Sequence, residues 1–149
     1  MQLHVLVNVI TFVTGVVLGP GGGALSSMYP AFYLGVGGPI GSGQQWFPWI
    51  HLDDLVGILI HSLQCETVSG VLNGVSPQQI TNKQFASALG TALRRPAFMP
   101  LPSFVVNGVF GRERAVMLLE GQHVSPTRTI KSGYRYSKPD ISSALNASV

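Results

Sequence analysis

Between Leu3 and Leu18 the chain reads LHVLVNVITFVTGVVL, almost unbroken in apolar side chains, and then meets Gly19-Pro20-Gly21-Gly22-Gly23. Nine of those sixteen positions are Val, Ile or Thr, whose branched β-carbons favour a pleated backbone over a helix. A membrane-spanning helix needs about 20 apolar residues, and Met1-Gln2 lacks the positive charge that opens a signal peptide. A signal and a membrane anchor are therefore the weaker readings of this run, and a strand is the stronger. Unbroken rather than alternating apolarity predicts a strand covered on both faces, as in a parallel sheet. The glycine-proline loop ends it at Leu18.

The remaining sequence alternates turn signals with short periodic runs. Ala24 to Leu34 reads as an irregular helical segment interrupted by Pro30, and residues 35–45 as a glycine-rich loop. Trp46 to Leu52 predicts a strand kinked at Pro48, followed by a helix capped by Asp53 or Asp54 and carrying Leu55, Ile58, Leu59 and Leu63. Gly70 to Val75 predicts a short strand. Thr81 is placed to cap a helix running to about Arg95, with Phe85, Leu89 and Leu93 on one face. Pro96, Pro100 and Pro102 form an extended link. Phe104 to Phe110 and Arg112 to Leu119 read as short helices, Tyr134 to Tyr136 as a strand, and a last helix opens near Ser137 to Pro139. Strands separated by helices predict an α/β fold rather than a sandwich.

Composition narrows the function classes. Apolar residues make up 46% and charged residues only 10% of the chain, with a net charge of +3. No run of Lys or Arg forms a stripe, so nucleic acid is not an expected partner, and neither is a membrane. The single cysteine, Cys65, excludes an internal disulfide and any multi-cysteine metal site. It fits a reducing, intracellular setting, cytoplasmic or mitochondrial. Free-standing domains place Lys, Arg, Asp or Glu at roughly a quarter to a third of their surface. Charge as sparse as here implies either surface that something else covers or a larger fold of which part is missing.

Chemical signals are weak one at a time. Gly19–Gly23 stands between a strand and a helix, where backbone N–H groups can cradle phosphate. It matches no dinucleotide or P-loop spacing, so an anion contact and a simple turn both stay open. His51, Asp53 and Asp54 form a compact polar cluster, explained by helix capping without a metal; no metal site is expected. Trp46, Phe47 and Trp49 either line a pocket or pack in the core. Neither Ser103 nor Cys65 has the His and acid of a nucleophile motif. Arg112-Glu113-Arg114 reads as a solvated helix start.

Taken as strings, GVVLGPGGGAL (15–25), LGVGGPIGSGQQWFPWIHLDDL (34–55), VLNGVSPQQITNKQFASALGTALRRPAFMPLP (71–102), FGRERAVMLLEGQHVSP (110–126) and GYRYSKPDISSAL (133–145) carry a likeness. The chain from about Thr14 onward resembles the C-terminal half of the atypical extended short-chain dehydrogenases/reductases, in the NAD(P)-dependent epimerase family branch. The resemblance implies the last parallel strands of a Rossmann-like NAD(P)-binding fold plus a small α/β substrate lobe. It divides the chain into a strand and glycine loop (1–23, with a divergent start at 1–12), an epimerase-like remnant (24–95) and a C-terminal helical lobe (96–149). It implies NADP as cofactor, with Thr14, Gly15 and Val16 beside the nicotinamide, and Trp46, Trp49 and His51 on the side of an unidentified small-molecule substrate.

The same resemblance marks what these 149 residues do not contain. The glycine fingerprint is missing, and the Tyr-x-x-x-Lys string that does occur, Tyr134-Arg135-Tyr136-Ser137-Lys138, sits in the tail, at the wrong end for the family's catalytic pair. No catalytic residue is therefore assigned. Val13 stands where the family commonly has Arg, and Phe47-Pro48 replaces the Arg-Asp pair of nucleotide-sugar epimerases, which implies a less charged ligand. The expectation is a truncated or alternatively started form, inactive by itself. The alternative is a non-enzymatic binding or regulatory module that docks on a full-length relative.

Overall fold

The computed structural model describes residues 9–102, 116 and 119–149. Among these the elements follow as β1 (Ile10–Thr14), β2 (Val16–Leu18), α1 (Gly23–Tyr33), β3 (Trp49–His51), α2 (Leu52–Gln64), β4 (Gly70–Gly74), α3 (Asn82–Leu93), α4 (Thr127–Lys131) and α5 (Ile141–Asn146). Residues 1–8 and the helices expected over 104–119 lie outside the described residues, apart from single positions.

The apolar run makes two strands with different partners. β1 lies parallel to β4, with Ile10 opposite Gly70 and Thr14 opposite Gly74; β2 lies parallel to β3, with Val16 opposite Trp49 and Leu18 opposite His51. Partners change between consecutive amides. Gly15 N–H donates to the Gly74 carbonyl at 3.2 Å, and Val16 N–H donates to the Pro48 carbonyl at 2.8 Å. Neighbouring residues of a strand aim their backbone groups at opposite edges, so one extended segment pairs first on one side and then on the other. A β-carbon on Gly15 would stand 2.5 Å from the Pro48 oxygen, so the close approach of β3 requires glycine there.

Expected burial on both faces of this run is corrected for β1. Ile10 and Phe12 pack with Leu72, Ile50 and Ile58 beneath α2. Thr11 is exposed and Val13 is 46% exposed, because no described element covers the face they share with Val71; Thr14, on the other face, is exposed at the end of the strand. β2 and β3 are better enclosed. Leu18 and Trp49 join Leu25, Met28 and Phe32 of α1, Phe85 and Leu89 of α3, and Leu145 of α5 in the main core, while Ile50 points to the smaller one.

Other boundaries shift for identifiable reasons. α1 runs through Pro30 without a break; burial of Leu25, Met28 and Phe32 offsets the one backbone bond that proline removes. The strand expected over 46–52 shrinks to β3, with Trp46 making only an isolated antiparallel bridge to Thr81. His51, not Asp53 or Asp54, caps α2: its Nδ1 accepts the Asp53 N–H at 3.1 Å. Thr81 caps α3 as expected, in a reciprocal box with Gln84, and Arg94 ends the helix in the left-handed region at φ 54°.

Asp54 is wholly buried and serves as a clamp. One carboxylate oxygen accepts Tyr134 O–H at 2.9 Å and Ser137 N–H at 2.7 Å, and the other accepts Lys138 N–H at 2.8 Å. These bonds explain two further corrections. The segment Tyr134–Tyr136 pairs with no strand, being held instead by Tyr134 on Asp54 and by Tyr136 O–H on the Val75 carbonyl at 2.9 Å. The last helix starts at Ile141 under an Asp140 cap, since the amides of Ser137 and Lys138 are already committed to Asp54.

The strand hand-over gives a direct test. Gly15→Ala should destabilise the chain by about 2 kcal/mol through overpacking against backbone, lowering Tm by roughly 5 °C for a chain of this size. Thermal melting followed by circular dichroism checks this, and an unchanged Tm contradicts the packing argument.

Candidate functional site

In layered parallel α/β folds, ligands approach beyond the carboxyl ends of the strands. Thr14 ends β1 and Gly74 ends β4, and the two are paired. Immediately beyond them the chain continues as Val75 and Ser76. These residues, with Trp46, Pro48, Gln79 and His123, line a shallow cleft open to solvent. Its enclosed volume is only about 10 Å³, far below the roughly 300–1,000 Å³ of ordinary small-molecule pockets. The cleft is thus one wall of a site rather than a closed chamber.

The cleft and the hand-over touch through shared backbone. Val16 binds Pro48, Gly15 binds Gly74, and Ser76 N–H donates to the Trp49 carbonyl at 2.6 Å. Thr14, Gly15 and Val16 therefore sit directly behind the cleft wall. By the alternation that sends Gly15 N–H to β4, the backbone groups of Thr14 face the opposite edge, where no described strand pairs.

The aromatic candidates separate. Trp46 is 42% exposed, and its ring lies 4.5 Å from that of His123, tilted by 50°. Trp49 is 1% exposed, with its indole N–H given to the Gln78 carbonyl at 3.0 Å. It reaches the cleft from the core side. His51 is 2% exposed and lies outside the cleft lining. Its Nδ1 is used as the helix cap, which leaves the proton on Nε2, and that atom is buried without a partner among the described residues. Phe47 stacks on Phe85 at 4.1 Å in the core.

His123 and Gln79 were not legible beforehand. They hydrogen-bond to each other across the cleft, but each is a lone polar residue in irregular chain, and only tertiary contact joins them to Trp46. The glycine loop opens α1 at Gly22 with no capping side chain; Gly21 and Gly23 take φ values of +73° and +65°. Among the described residues no group of three His, Cys, Asp or Glu could hold a metal ion. No helix among them is long and apolar enough to cross a membrane.

Comparison with known proteins identifies the class first. A crystal structure of human epimerase family protein SDR39U1 (isoform 2) with NADPH matches with a TM-score of 0.87 at 58% identity, covering 92% of this chain and 46% of that one. A nucleoside-diphosphate sugar epimerase from Corynebacterium glutamicum matches with a TM-score of 0.69 at 25% identity, covering 93% of this chain and 25% of that one. The parallel strand pairs are thus part of a Rossmann-like epimerase fold.

Sequence comparison then supplies the relatives. The chain is 65% identical over 133 residues to epimerase family protein SDR39U1 of Bos taurus and 61% identical over 132 residues to that of Homo sapiens, in each case across 89% of this chain. A family described as a domain of unknown function (DUF1731) matches residues 101–148. Over most of its length the chain is similar to epimerase family proteins named SDR39U1, and it spans about 45% of the length of these relatives.

The tyrosines beside Asp54 carry a measurable consequence. Burial first, and then the Asp54 carboxylate, push the phenols of Tyr134 and Tyr136 well above their ordinary value of 10; burial and Tyr33 raise Tyr29. The folded chain then holds these protons more tightly than the unfolded one, so the stability they contribute is present at neutral pH and is lost as pH rises above about 10. Phenolate absorbance near pH 10.5 should be clearly lower in the folded chain than in urea, within about half a unit of the ordinary phenol pKa. Equal absorbance in the two states contradicts the buried clamp.

Proposed function

We propose that this chain forms the substrate-facing, carboxyl-terminal part of an NADP(H)-dependent oxidoreductase or epimerase of the extended short-chain dehydrogenase class, and that these residues alone do not catalyse. The observation that carries the reading is the placement of Thr14, Gly15 and Val16 at the strand hand-over, directly behind the cleft of Trp46 and His123. The cofactor, when bound, supplies hydride chemistry. Thr14 offers a hydroxyl and outward backbone groups, suited to a neutral carboxamide, with Gly15 and Val16 fixing their position. Residues 9–24 contain no Lys or Arg, so the anionic part of a dinucleotide would need donors from elsewhere.

Substrate would lie against Trp46, whose exposed ring gives a flat apolar platform, with Gln79 and His123 as hydrogen-bonding groups. Trp49 and His51 support this wall from within: one packs behind it, the other caps α2. Carbonyl reduction needs an acid whose pKa is drawn down toward working pH. The tyrosines nearest in pattern to that role, Tyr134 and Tyr136, are driven the other way by burial and Asp54. This favours inactivity of the chain by itself. A docking role alongside a longer relative is the second reading, supported by the apolar side chains that α2 turns outward.

Titration of NADPH against the purified chain, followed by nicotinamide fluorescence, should give no saturation through the micromolar range. A Kd at or below about 10 µM would overturn the view that these residues provide only part of the cofactor site.

A further inference from the structure

We propose that the cleft beside Trp46 takes an uncharged, planar ring compound carrying a hydroxyl group, which Gln79 and His123 recognise together, and that it turns away nucleoside-diphosphate sugars. The proposal rests on the functional reading above, in which this cleft is the substrate-facing wall, and names the class of substrate. Its first support is an account of which polar side chains the wall has left to give. Ser76 is spent: its hydroxyl donates to the Pro139 carbonyl at 2.9 Å and accepts the Gln78 N–H at 3.3 Å. Gln78 is spent as well. Its side-chain oxygen accepts the Ile141 N–H at 2.6 Å, and its carbonyl accepts the Trp49 indole N–H. The side chains of Gln79 and His123, by contrast, hydrogen-bond only to each other among the described residues.

That mutual bond fixes what each still offers. A carbonyl oxygen can only accept, so Gln79 Oε1 receives the proton of His123 Nε2. In the neutral ring Nδ1 then keeps its lone pair and is an acceptor, while the Gln79 amide nitrogen keeps its N–H donors. A ligand hydroxyl donates to the first, and its own or a neighbouring oxygen accepts from the second. The pair is held in place from below. Gly121 takes φ +61°, and a β-carbon there would collide with the Trp46 carbonyl oxygen, so the segment bearing His123 packs directly on the backbone of residue 46. The imidazole meets the indole at a tilt and leaves Trp46 42% exposed.

The second support is charge and shape. Among the described residues the lining contains no Lys, Arg, Asp or Glu. A diphosphate is held by Arg or Lys through charge-assisted bonds, and this wall supplies no cation for one. Its apolar part is the Trp46 ring with Pro48, Val75 and Val124 beside it. Because the cleft encloses so little volume, a ligand gains contact there only by lying flat, ring against indole. Flatness comes from the platform, neutrality from the uncharged lining, and the hydroxyl from the Gln79–His123 pair.

The test follows the Trp46 indole N–H resonance by NMR at pH 7 while the chain is titrated with 3-hydroxyacetophenone, acetophenone or UDP-glucose. The hydroxylated ketone should move it with a Kd of roughly 1–10 mM, the range for a small ligand held on one wall. Acetophenone should bind about fivefold more weakly, the worth of one hydrogen bond, and UDP-glucose should leave the resonance unmoved at the same concentrations. His123→Phe keeps an aromatic ring against Trp46 but removes Nδ1, and Gln79→Leu releases the imidazole; both positions are exposed. Each change should erase the preference for the hydroxyl while leaving acetophenone binding and the melting profile unchanged. Equal binding of the two ketones overturns the proposal, as does a preference that survives His123→Phe. A Trp46 response to UDP-glucose as strong as that to the ketones, or none to any of the three, also overturns it. No cofactor enters this measurement. Saturation of the chain by NADPH would overturn the functional reading and leave the ligand class standing, whereas a failed Trp46 response overturns the ligand class alone.

Discussion

Two adjacent amides organise this chain. Gly15 gives its proton to Gly74 and Val16 gives its proton to Pro48, so one extended segment joins two parallel strand pairs that would otherwise be unconnected. Everything near the candidate site is referred to that step. The carboxyl ends of β1 and β4 come to lie against the amino end of β3. Pro48 and Trp49 are drawn to within contact of residue 15. The cleft opens where the chain leaves β4 at Val75. The requirement for glycine at residue 15 is steric, and it is backbone that imposes it, which rotamer adjustment cannot relieve.

Asp54 performs the equivalent task for the distant end of the chain. Burying a carboxylate without partners costs several kcal/mol, about 3 or more when one partner of a buried pair is removed. Here its two oxygens take a phenol, a hydroxyl and two backbone amides from residues 134–138. The carboxyl-terminal segment is thereby fixed against α2, and α5 is delivered to the main core, where Ile141, Ala144 and Leu145 meet α1 and α3. The same clamp holds Tyr134 in its protonated form, so a residue that superficially completes a Tyr-x-x-x-Lys pattern is occupied structurally.

Much of this was legible in the sequence where local chemistry decides the outcome. The β-branched run became strand, Thr81 capped α3, and Gly70 to Gly74 formed β4, because propensity, capping and pattern agreed there. The strings shared with the epimerase family gave the parallel α/β fold, as strand spacing and glycine positions are fixed by that topology. Legibility failed where a distant partner decides. Nothing local distinguishes Asp53 from Asp54 as a cap, and only residues 134–138 explain why the second is buried and His51 caps instead. The split at Gly15 depends on Pro48 arriving from the far side of a glycine-rich loop. Of the substrate-side residues read from the family, Trp46 lies on the cleft wall, Trp49 behind it and His51 beneath the neighbouring helix. His123 and Gln79 carried no pattern that could have revealed them.

Through-hydrogen-bond scalar coupling measured by NMR on the isotopically labelled chain examines the hand-over itself. The account predicts coupling from the Gly15 amide to the carbonyl carbon of Gly74 and from the Val16 amide to that of Pro48. Coupling of both amides to a single strand, or to neither, would contradict it, and with it the placement of the site.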